Sequence, residues 1–250
     1  MRDRVERTWQ VFHQRLLERP DLWDAPTRLT GWHVSDLAAH ACWGTSLEAD
    51  AIERALGGVS GPAEGVSPQP SASRETVLTT LRGSYARLAT ALDALEQRAA
   101  TDPGTAAGTL PLPYGDVPVP LALSIFEMEA GAHGSDLAAA AGEDDTLSPE
   151  VCAATFATMR VFGPILAEAA GTVPPPDAVL ELRCGDDTLR FGPGDDDRWT
   201  AAATGAATTT IGGRCSDVTL FLLGRRPVDA VTVDGDPELA ARFKDLVPGP

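Results

Sequence analysis

The sequence has little lysine, few cysteines and no long apolar run. Lys244 is the single lysine among 20 basic residues, against 36 acidic residues, so the 250-residue chain has a net charge of −16. Such a surface repels nucleic acid and anionic membranes. No apolar stretch reaches the roughly 20 residues of a bilayer span, and the charged start MRDRVERTWQ lacks a signal-peptide core. We therefore expect a cytoplasmic protein whose partner is a small molecule.

The four cysteines are widely spaced. Cys42, Cys152, Cys184 and Cys215 lie far apart, and no two of them form a CxxC pair. This spacing is not typical of a thiolate zinc cluster or of a disulfide framework. We therefore expect four reduced and mostly buried thiols, which is the usual state of free cysteine.

Apolar residues recur at helical spacing through the first two thirds of the chain. The pattern predicts helices over residues 2–18, 34–56, 74–98, 118–141 and 149–169, with Gly57 and Gly58 ending the second. Ser73 and Ser148 are the predicted N-caps of the third and fifth helices, and Pro149 occupies the first position of the fifth. Residues 58–72 and 101–117 are rich in proline and glycine, which predicts exposed loops. The second loop is long enough to cover a site.

The residue composition changes at GTVPPPD, residues 171–177, where three consecutive prolines predict a stiff hinge. Short alternating segments follow and predict strands: VLELRC, TLRFG, RWTAAA, ATTTIGG and DAVTVDG. Two helices, DVTLFLLG and PELAARFKDL, accompany them. The predicted fold class is α plus α+β, with a helical bundle over residues 1–170 and a small α+β domain over residues 177–250.

Histidine is also scarce, with only four residues in the chain. Glu129 precedes His133 by four positions, so both side chains lie on one face of a helix. Helices two and four of a bundle can both face its axis, which would bring His40 to that pair. We expect the remaining histidines, His13 and His33, to be surface or loop residues.

Two imidazoles and one carboxylate form a ligand set for catalytic zinc and for other divalent metals. Asp36 and Asp136 are candidate outer partners, because a ligating histidine usually donates its second N–H. Two other interpretations stay open. His40 can be a buried histidine with a satisfied hydrogen bond, and Glu129 with His133 can be an ordinary helix pair that contributes a few tenths of a kcal/mol, on the order of 0.3.

Two stretches, GWHVSDLAAHACWG and EMEAGAHGSDLAAAAG, together resemble the mycothiol-dependent maleylpyruvate isomerase family. The N-terminal domain of that family is a DinB-like four-helix bundle. The matching residues are Gly31, Trp32, Asp36, Leu37 and His40 in the first stretch and Glu129, His133, Asp136 and Leu137 in the second. The resemblance implies that His40, Glu129 and His133 bind a divalent metal, usually zinc.

The C-terminal GRCSDVTLFLLGRRPVDAVTVDGDPELAARF resembles the second domain of the same family, which is similar to sterol carrier proteins. The matching residues are Ser216, Asp217, Gly224, Arg225, Gly235 and Asp236. The resemblance implies mycothiol as a thiol cofactor and Arg225 as the group that binds a substrate carboxylate, which a guanidinium can do bidentately. The alternative for Arg225 is an arginine that interacts with the dipole at a helix C-terminus.

Three classes of function stay open. The first is a metal- and thiol-dependent isomerase or S-transferase acting on a small electrophilic metabolite. The second is a metal enzyme that uses water, such as a hydrolase or cyclase. The third is a non-catalytic small-molecule binding protein on the same scaffold. Dependence on a thiol separates the first two classes, and ligand affinity that survives loss of the metal favours the third.

Overall fold

The chain folds into two compact units. The computed structural model describes residues 2–195 and 197–248, and the first unit ends at Asp145 while the second begins at Thr146. The first unit is helical with one hairpin, and the second combines helices with a mixed sheet. This architecture confirms the predicted fold class of a helical bundle followed by an α+β domain.

The first unit is built on four long helices. Its helices are α1 (Arg2–Glu18), α2 (Val34–Gly57), α3 (Arg74–Thr101), the short α4 (Pro103–Ala106) and α5 (Val119–Ala140). Helix α1 buries a single stripe formed by Val5, Trp9, Phe12 and Leu16. Helix α5 instead buries residues on most of its circumference. A helix buried all round occupies the interior of a bundle, so polar residues on α5 are held away from solvent.

The predicted N-cap of the third helix and the predicted glycine stop of the second are confirmed. The Ser73 hydroxyl accepts a hydrogen bond from the Thr76 backbone N–H at 3.2 Å, which caps α3. Helix α2 ends where Gly58 adopts a left-handed conformation, with φ of 65°.

The segment predicted as a loop over residues 101–117 contains regular structure. Besides α4 it holds an antiparallel hairpin of β1 (Thr109–Leu112) and β2 (Gly115–Pro118). Leu110 and Leu112 alternate toward the interior and are buried with Val117. The prolines and glycines of this segment are typical of loops, and they obscured the alternation of apolar and polar residues. The prediction of an irregular loop was therefore wrong for the residues of α4 and of the hairpin.

The second unit carries a five-stranded sheet. Its strands are β3 (Leu180–Cys184), β4 (Asp187–Pro193), β5 (Trp199–Thr200), β6 (Thr209–Gly212) and β7 (Thr232–Gly235), in the order β5-β4-β3-β6-β7. The central pair β3 and β6 is parallel, with Leu182 opposite Ile211, and the other pairs are antiparallel. Its helices are α6 (Pro149–Ala169), α7 (Cys215–Leu222), α8 (Pro237–Ala241) and α9 (Phe243–Leu246).

Helix α6 belongs to the second unit. Phe156 and Met159 of α6 lie in one hydrophobic cluster with Leu182, Phe191 and Phe243. The observed division between Asp145 and Thr146 therefore differs from the predicted boundary between residues 170 and 177. Helical periodicity shows that a helix has an apolar face, but it does not show which core covers that face.

The cysteines are not all reduced in the structure. Cys184 at the end of β3 and Cys215 at the start of α7 form a disulfide, with their Cα atoms 4.5 Å apart. Cys42 and Cys152 are free and buried. The expectation of four thiols was wrong for Cys184 and Cys215, because sequence spacing does not report the proximity that a folded sheet creates.

Among the described residues, one helix is long and apolar enough to cross a membrane, namely α6. Half of its most apolar window is buried inside the protein. Its buried residues belong to the core of the second unit, so packing in a folded domain accounts for its apolar composition. The cytoplasmic location stays a prediction.

Candidate metal centre

Three side chains from two helices converge inside the first unit. His40 lies on α2, while Glu129 and His133 lie one turn apart on α5, and one ligand atom from each falls within 4.8 Å of the others. Glu129 Oε2 is 3.1 Å from His133 Nε2 and 3.8 Å from His40 Nε2. The sequence therefore predicted correctly that these residues meet. Their role as metal ligands stays a proposal.

The charges in this cluster are strongly coupled. Burial favours the neutral form of Glu129, but hydrogen bonds and charge interactions with His133 and His40 outweigh it and lower the pKa of Glu129 well below its usual value. Burial likewise favours neutral His133, but Asp136 and Glu129 outweigh it and raise the pKa of His133 to about 9. The metal-free centre therefore holds a carboxylate beside a proton-carrying imidazole at neutral pH.

Asp136 fixes the second nitrogen of the His133 ring. His133 Nδ1 is 3.2 Å from Asp136 Oδ2, and Asp136 is fully buried. This contact matches the predicted outer partner of a ligating histidine, since it leaves Nε2 directed at Glu129. The carboxylate thereby sets the orientation of the imidazole.

Arg28 holds Asp136 in turn. Its Nε donates to Asp136 Oδ1 at 2.7 Å, its Nη1 to Asp145 at 2.7 Å and its Nη2 to the Ser135 hydroxyl at 2.6 Å. Sequence patterns do not indicate this role, because Arg28 lies in an irregular segment where periodicity is uninformative. Its partners lie more than a hundred positions away in sequence.

The other predicted polar residues are placed differently. Asp36 accepts a hydrogen bond from the His33 backbone N–H at 2.8 Å and so caps α2; the structure shows no hydrogen bond from it to His40. His33 is exposed, as predicted. His13 is buried, with Nε2 3.1 Å from the Leu78 carbonyl oxygen, so the expectation of a surface residue was wrong. Its position four residues after Trp9 on the apolar stripe of α1 was the available signal.

Two further residues lie in the electrostatic field of Glu129. Glu48, two turns beyond His40 on α2, is buried, and this burial together with the charge of Glu129 raises its pKa well above the usual value. Tyr114, in the turn of the β1–β2 hairpin, is 56% exposed. Partial burial and the charges of Glu129 and Glu48 still raise its pKa to about 12. The hairpin that sequence reasoning missed thus brings a hydroxyl toward the cluster.

Arg225 follows α7 in the second unit. Its backbone N–H bonds to the Leu220 carbonyl at 2.7 Å, and its Nη1 donates to the Leu223 carbonyl at 2.5 Å. These contacts satisfy carbonyl groups at the C-terminus of α7. They agree with the alternative in which Arg225 interacts with the end of a helix. Recognition of a carboxylate by Arg225 stays a proposal.

The donor set fits a divalent metal. Two imidazole nitrogens and one carboxylate form a known catalytic ligand set that leaves at least one coordination position open. His40 and Glu129 retain 29% and 27% side-chain exposure, so solutes can reach that position. A helical bundle bearing this set, followed by an α+β domain, defines the class: a bundle protein with a candidate catalytic metal centre.

The sequence comparison gives the family. Residues 7–138 match the mycothiol maleylpyruvate isomerase N-terminal domain, which is more than half of the chain. The protein belongs to this family. The match includes His40, Glu129 and His133. It confirms the resemblance to this family that the two helical stretches of the sequence indicated.

Solved structures confirm the fold. The chain is similar to the crystal structure of a mycothiol-dependent maleylpyruvate isomerase, with a TM-score of 0.60, and to that of a histidine-to-alanine mutant, with a TM-score of 0.61. In both cases the identity is 16%, and the alignment covers 94% of this chain and 93% of the other. No curated protein matches this sequence. At this identity the likeness shows the fold and leaves the activity to be tested.

Zinc binding to the metal-free protein should release a proton. A metal binds the neutral imidazole, whereas His133 is protonated below its pKa of about 9. We expect the release of about one proton from this residue at neutral pH, and an apparent affinity that rises about tenfold per pH unit as the pH approaches that pKa. Isothermal titration in two buffers of different ionisation enthalpy measures the protons released. A zinc affinity that does not change between neutral pH and pH 9 would contradict the charge state assigned to His133.

Proposed function

We propose that this protein is a metal- and mycothiol-dependent isomerase or S-transferase that acts on a small electrophilic metabolite. The observation that carries the proposal is the convergence of His40, Glu129 and His133 within 4.8 Å inside a bundle of this family. The related crystal structures are those of a mycothiol-dependent maleylpyruvate isomerase, which supports the choice of thiol and of reaction class.

His40, Glu129 and His133 would hold the metal, with zinc as the favoured ion because this ligand set suits it. When bound, the metal would supply a positive charge that lowers the pKa of a coordinated thiol, so that the nucleophilic thiolate is present at neutral pH. The ionised state of Glu129 supports this role, since a carboxylate ligand must be deprotonated.

The surrounding residues orient the ligands and set their charge. Asp136 holds the His133 ring through Nδ1, and Arg28 holds Asp136. Burial and the charge of Glu129 raise the pKa of Glu48 well above its usual value, so a second negative charge next to Glu129 is disfavoured. Its carboxyl group is a candidate proton carrier within the field of the cluster. The site thus places the Glu129 carboxylate, the proposed metal ligand, near a second acid whose pKa is raised.

Arg225 is our proposal for binding a substrate carboxylate. An arginine guanidinium can bind a planar carboxylate through two parallel N–H···O bonds, and Arg225 lies just after α7. Lys244 lies close enough for the charge of Arg225 to act on it: burial first, and that charge second, lower the pKa of Lys244 to about 8. Two cations near one helix end favour an anionic group there. An Arg225→Gln variant tests this proposal through a raised KM for a carboxylate substrate at an unchanged kcat.

Turnover should require both a thiol and a metal. With maleylpyruvate as the probe, we expect product only when zinc and mycothiol are both supplied. Omitting the thiol should remove nucleophilic catalysis, and a chelator should remove the activated thiolate. Chromatography of the reaction mixture separates isomerisation, which leaves the mass of the substrate unchanged, from S-transfer, which adds the mass of the thiol.

The same assay distinguishes the alternatives. Zinc-dependent turnover of an electrophile or ester without any thiol would replace the proposal with a hydrolase or cyclase. Binding of a small ligand with equal affinity before and after chelation, with no turnover, would indicate a binding protein. A panel of electrophilic alkenes and epoxides with mycothiol extends the test beyond maleylpyruvate.

A further inference from the structure

The second unit contains a cluster of three cysteines that the proposed metal centre does not use. Cys152 lies in the first turn of α6, Cys184 ends β3 and Cys215 begins α7. The three sulfur atoms lie within 4.8 Å of one another. Cys184 and Cys215, 31 positions apart in sequence, are joined as a disulfide.

The third sulfur distinguishes this cluster from a simple structural cross-link. A disulfide needs two cysteines, yet Cys152 is brought from a separate helix to within reach of both bonded sulfurs. The remaining cysteine, Cys42, lies in the first unit, and its sulfur contacts the Val77 carbonyl oxygen at 3.5 Å. Cys42 therefore serves as a buried free thiol outside the cluster and as a matched control.

We propose that Cys152, Cys184 and Cys215 form a thiol–disulfide exchange site, in which one disulfide moves among three sulfurs and exchanges with a small aliphatic thiol. The proposal is independent of the function assigned to the first unit, because none of these sulfurs belongs to the His40 cluster.

The surroundings of the three sulfurs differ in a way that sets the order of events. Cys152 and Cys184 are buried, whereas Cys215 is only partly buried. Cys215 also occupies the first position of α7, where free backbone N–H groups stabilise a thiolate. Burial raises the pKa of Cys152 and keeps it as a thiol. Cys215 is therefore the sulfur that an external thiol reaches, and Cys152 is the resting third thiol.

In the reducing direction the exchange begins with attack of an external thiolate on the disulfide. A thiolate RS⁻ attacks Cys215 Sγ, a bond forms between R–S and Cys215, and Cys184 leaves as a thiolate that takes up a proton. Cys152 supplies the proton that Cys184 takes up, and the resulting Cys152 thiolate attacks Cys215 Sγ, so that a Cys152–Cys215 disulfide forms and RS⁻ is released. When a second RS⁻ attacks the mixed disulfide instead, RSSR leaves and three protein thiols remain. Two molecules of the small thiol thus supply the two electrons, and RSSR reverses the reaction as the oxidant.

The test uses the full-length protein equilibrated in mixtures of glutathione and glutathione disulfide. Free thiols are blocked with one alkylating reagent under denaturing conditions, and disulfides are then reduced and labelled with a second. Peptide mass spectrometry reports each cysteine. In wild-type protein under oxidising conditions we expect Cys184 and Cys215 in the disulfide, with Cys42 and Cys152 alkylated as thiols. Under reducing conditions all four should be thiols.

Single substitutions provide the decisive result. In Cys215→Ser we expect a new Cys152–Cys184 disulfide, and in Cys184→Ser a new Cys152–Cys215 disulfide, each in more than half of the molecules under oxidising conditions. Circular dichroism checks that each variant is folded. Cys42→Ser should behave as the wild type does.

Three results would overturn the proposal. The first is a wild-type chain whose four cysteines stay reduced at every glutathione ratio. The second is a folded Cys184→Ser or Cys215→Ser variant in which Cys152 forms no disulfide with its remaining neighbour. The third is stoichiometric zinc in reduced His40→Ala protein that is lost on adding Cys152→Ser, because the sulfurs would then form a thiolate metal site.

Discussion

A His40→Ala variant should lose its metal while keeping its fold. His40 supplies one of three candidate ligand atoms, and it is the only one that comes from α2. Changes to outer partners of a metal ligand typically cost 10–100-fold in affinity, so removal of a ligand itself should lower zinc affinity by more than about a hundredfold. Elemental analysis of the purified protein, together with a competition titration against a chromophoric chelator, measures this loss.

His40 is a better first target than His133. The His40 side chain is 29% exposed and packs against the rings of Trp32 and Trp43, with centroid distances of 5.2 Å and 5.6 Å. His133 is buried and bonded to Asp136, so its removal would also disturb a buried carboxylate. The His40 variant therefore separates metal loss from unfolding more cleanly.

The matched control is His33→Ala. His33 is an exposed imidazole seven positions earlier; its backbone N–H donates the capping hydrogen bond to Asp36, and its ring Nδ1 lies 3.5 Å from Asp36 Oδ2. We expect this variant to bind zinc as the wild type does. Near-stoichiometric metal in the His40→Ala protein that persists when Cys152→Ser is added, or equal loss in both the His40→Ala and His33→Ala variants, would contradict the metal centre.

The cluster itself was visible in the sequence because its spacing is local. Glu129 and His133 are one helical turn apart, so they must share a face wherever α5 forms. The approach of His40 on α2 to this pair could be predicted if both helices face the bundle interior, which an up-and-down bundle favours. The predicted outer contact of Asp136 followed from the same local spacing, since it lies three positions after His133.

Other features depend on contacts between distant segments, and sequence patterns did not reveal them. The disulfide joins β3 to α7 across 31 positions. Helix α6 has an apolar face that fits either unit, and only the folded core shows that Phe156 belongs to the same hydrophobic cluster as Phe191. The β1–β2 hairpin is short, and its prolines and glycines imitate a loop. Asp36 lies one turn from His40 in sequence, and its carboxylate accepts a hydrogen bond from the His33 backbone N–H at the start of α2.

An Arg28→Met variant should destabilise the first unit and weaken its metal site together. Arg28 is 15% exposed, and its guanidinium bonds to Asp136, Asp145 and Ser135. Removing one partner of a buried ion pair leaves a poorly compensated charge and costs several kcal/mol. We expect the free energy of unfolding to fall by about 3 kcal/mol.

Urea denaturation of the metal-free protein, followed by tryptophan fluorescence, measures this change. Trp9, Trp23, Trp32 and Trp43 lie in the first unit, and Trp199 lies in the second, so the signal reports mainly on the first. Zinc affinity should also fall, by about tenfold or more, since Asp136 would hold the His133 ring less firmly.

Arg87→Met is the control, because it also removes an arginine side chain that pairs with two carboxylates. Arg87 pairs with Glu53 and Asp50, but its side chain is 39% exposed, so solvent replaces much of the interaction. Its loss should change the free energy of unfolding by less than about 1 kcal/mol. An Arg28→Met protein as stable as the Arg87→Met protein would show that Asp136 does not need this cation. If its zinc affinity were also unchanged, the chain of contacts from Arg28 through Asp136 to His133 would have no part in holding the metal.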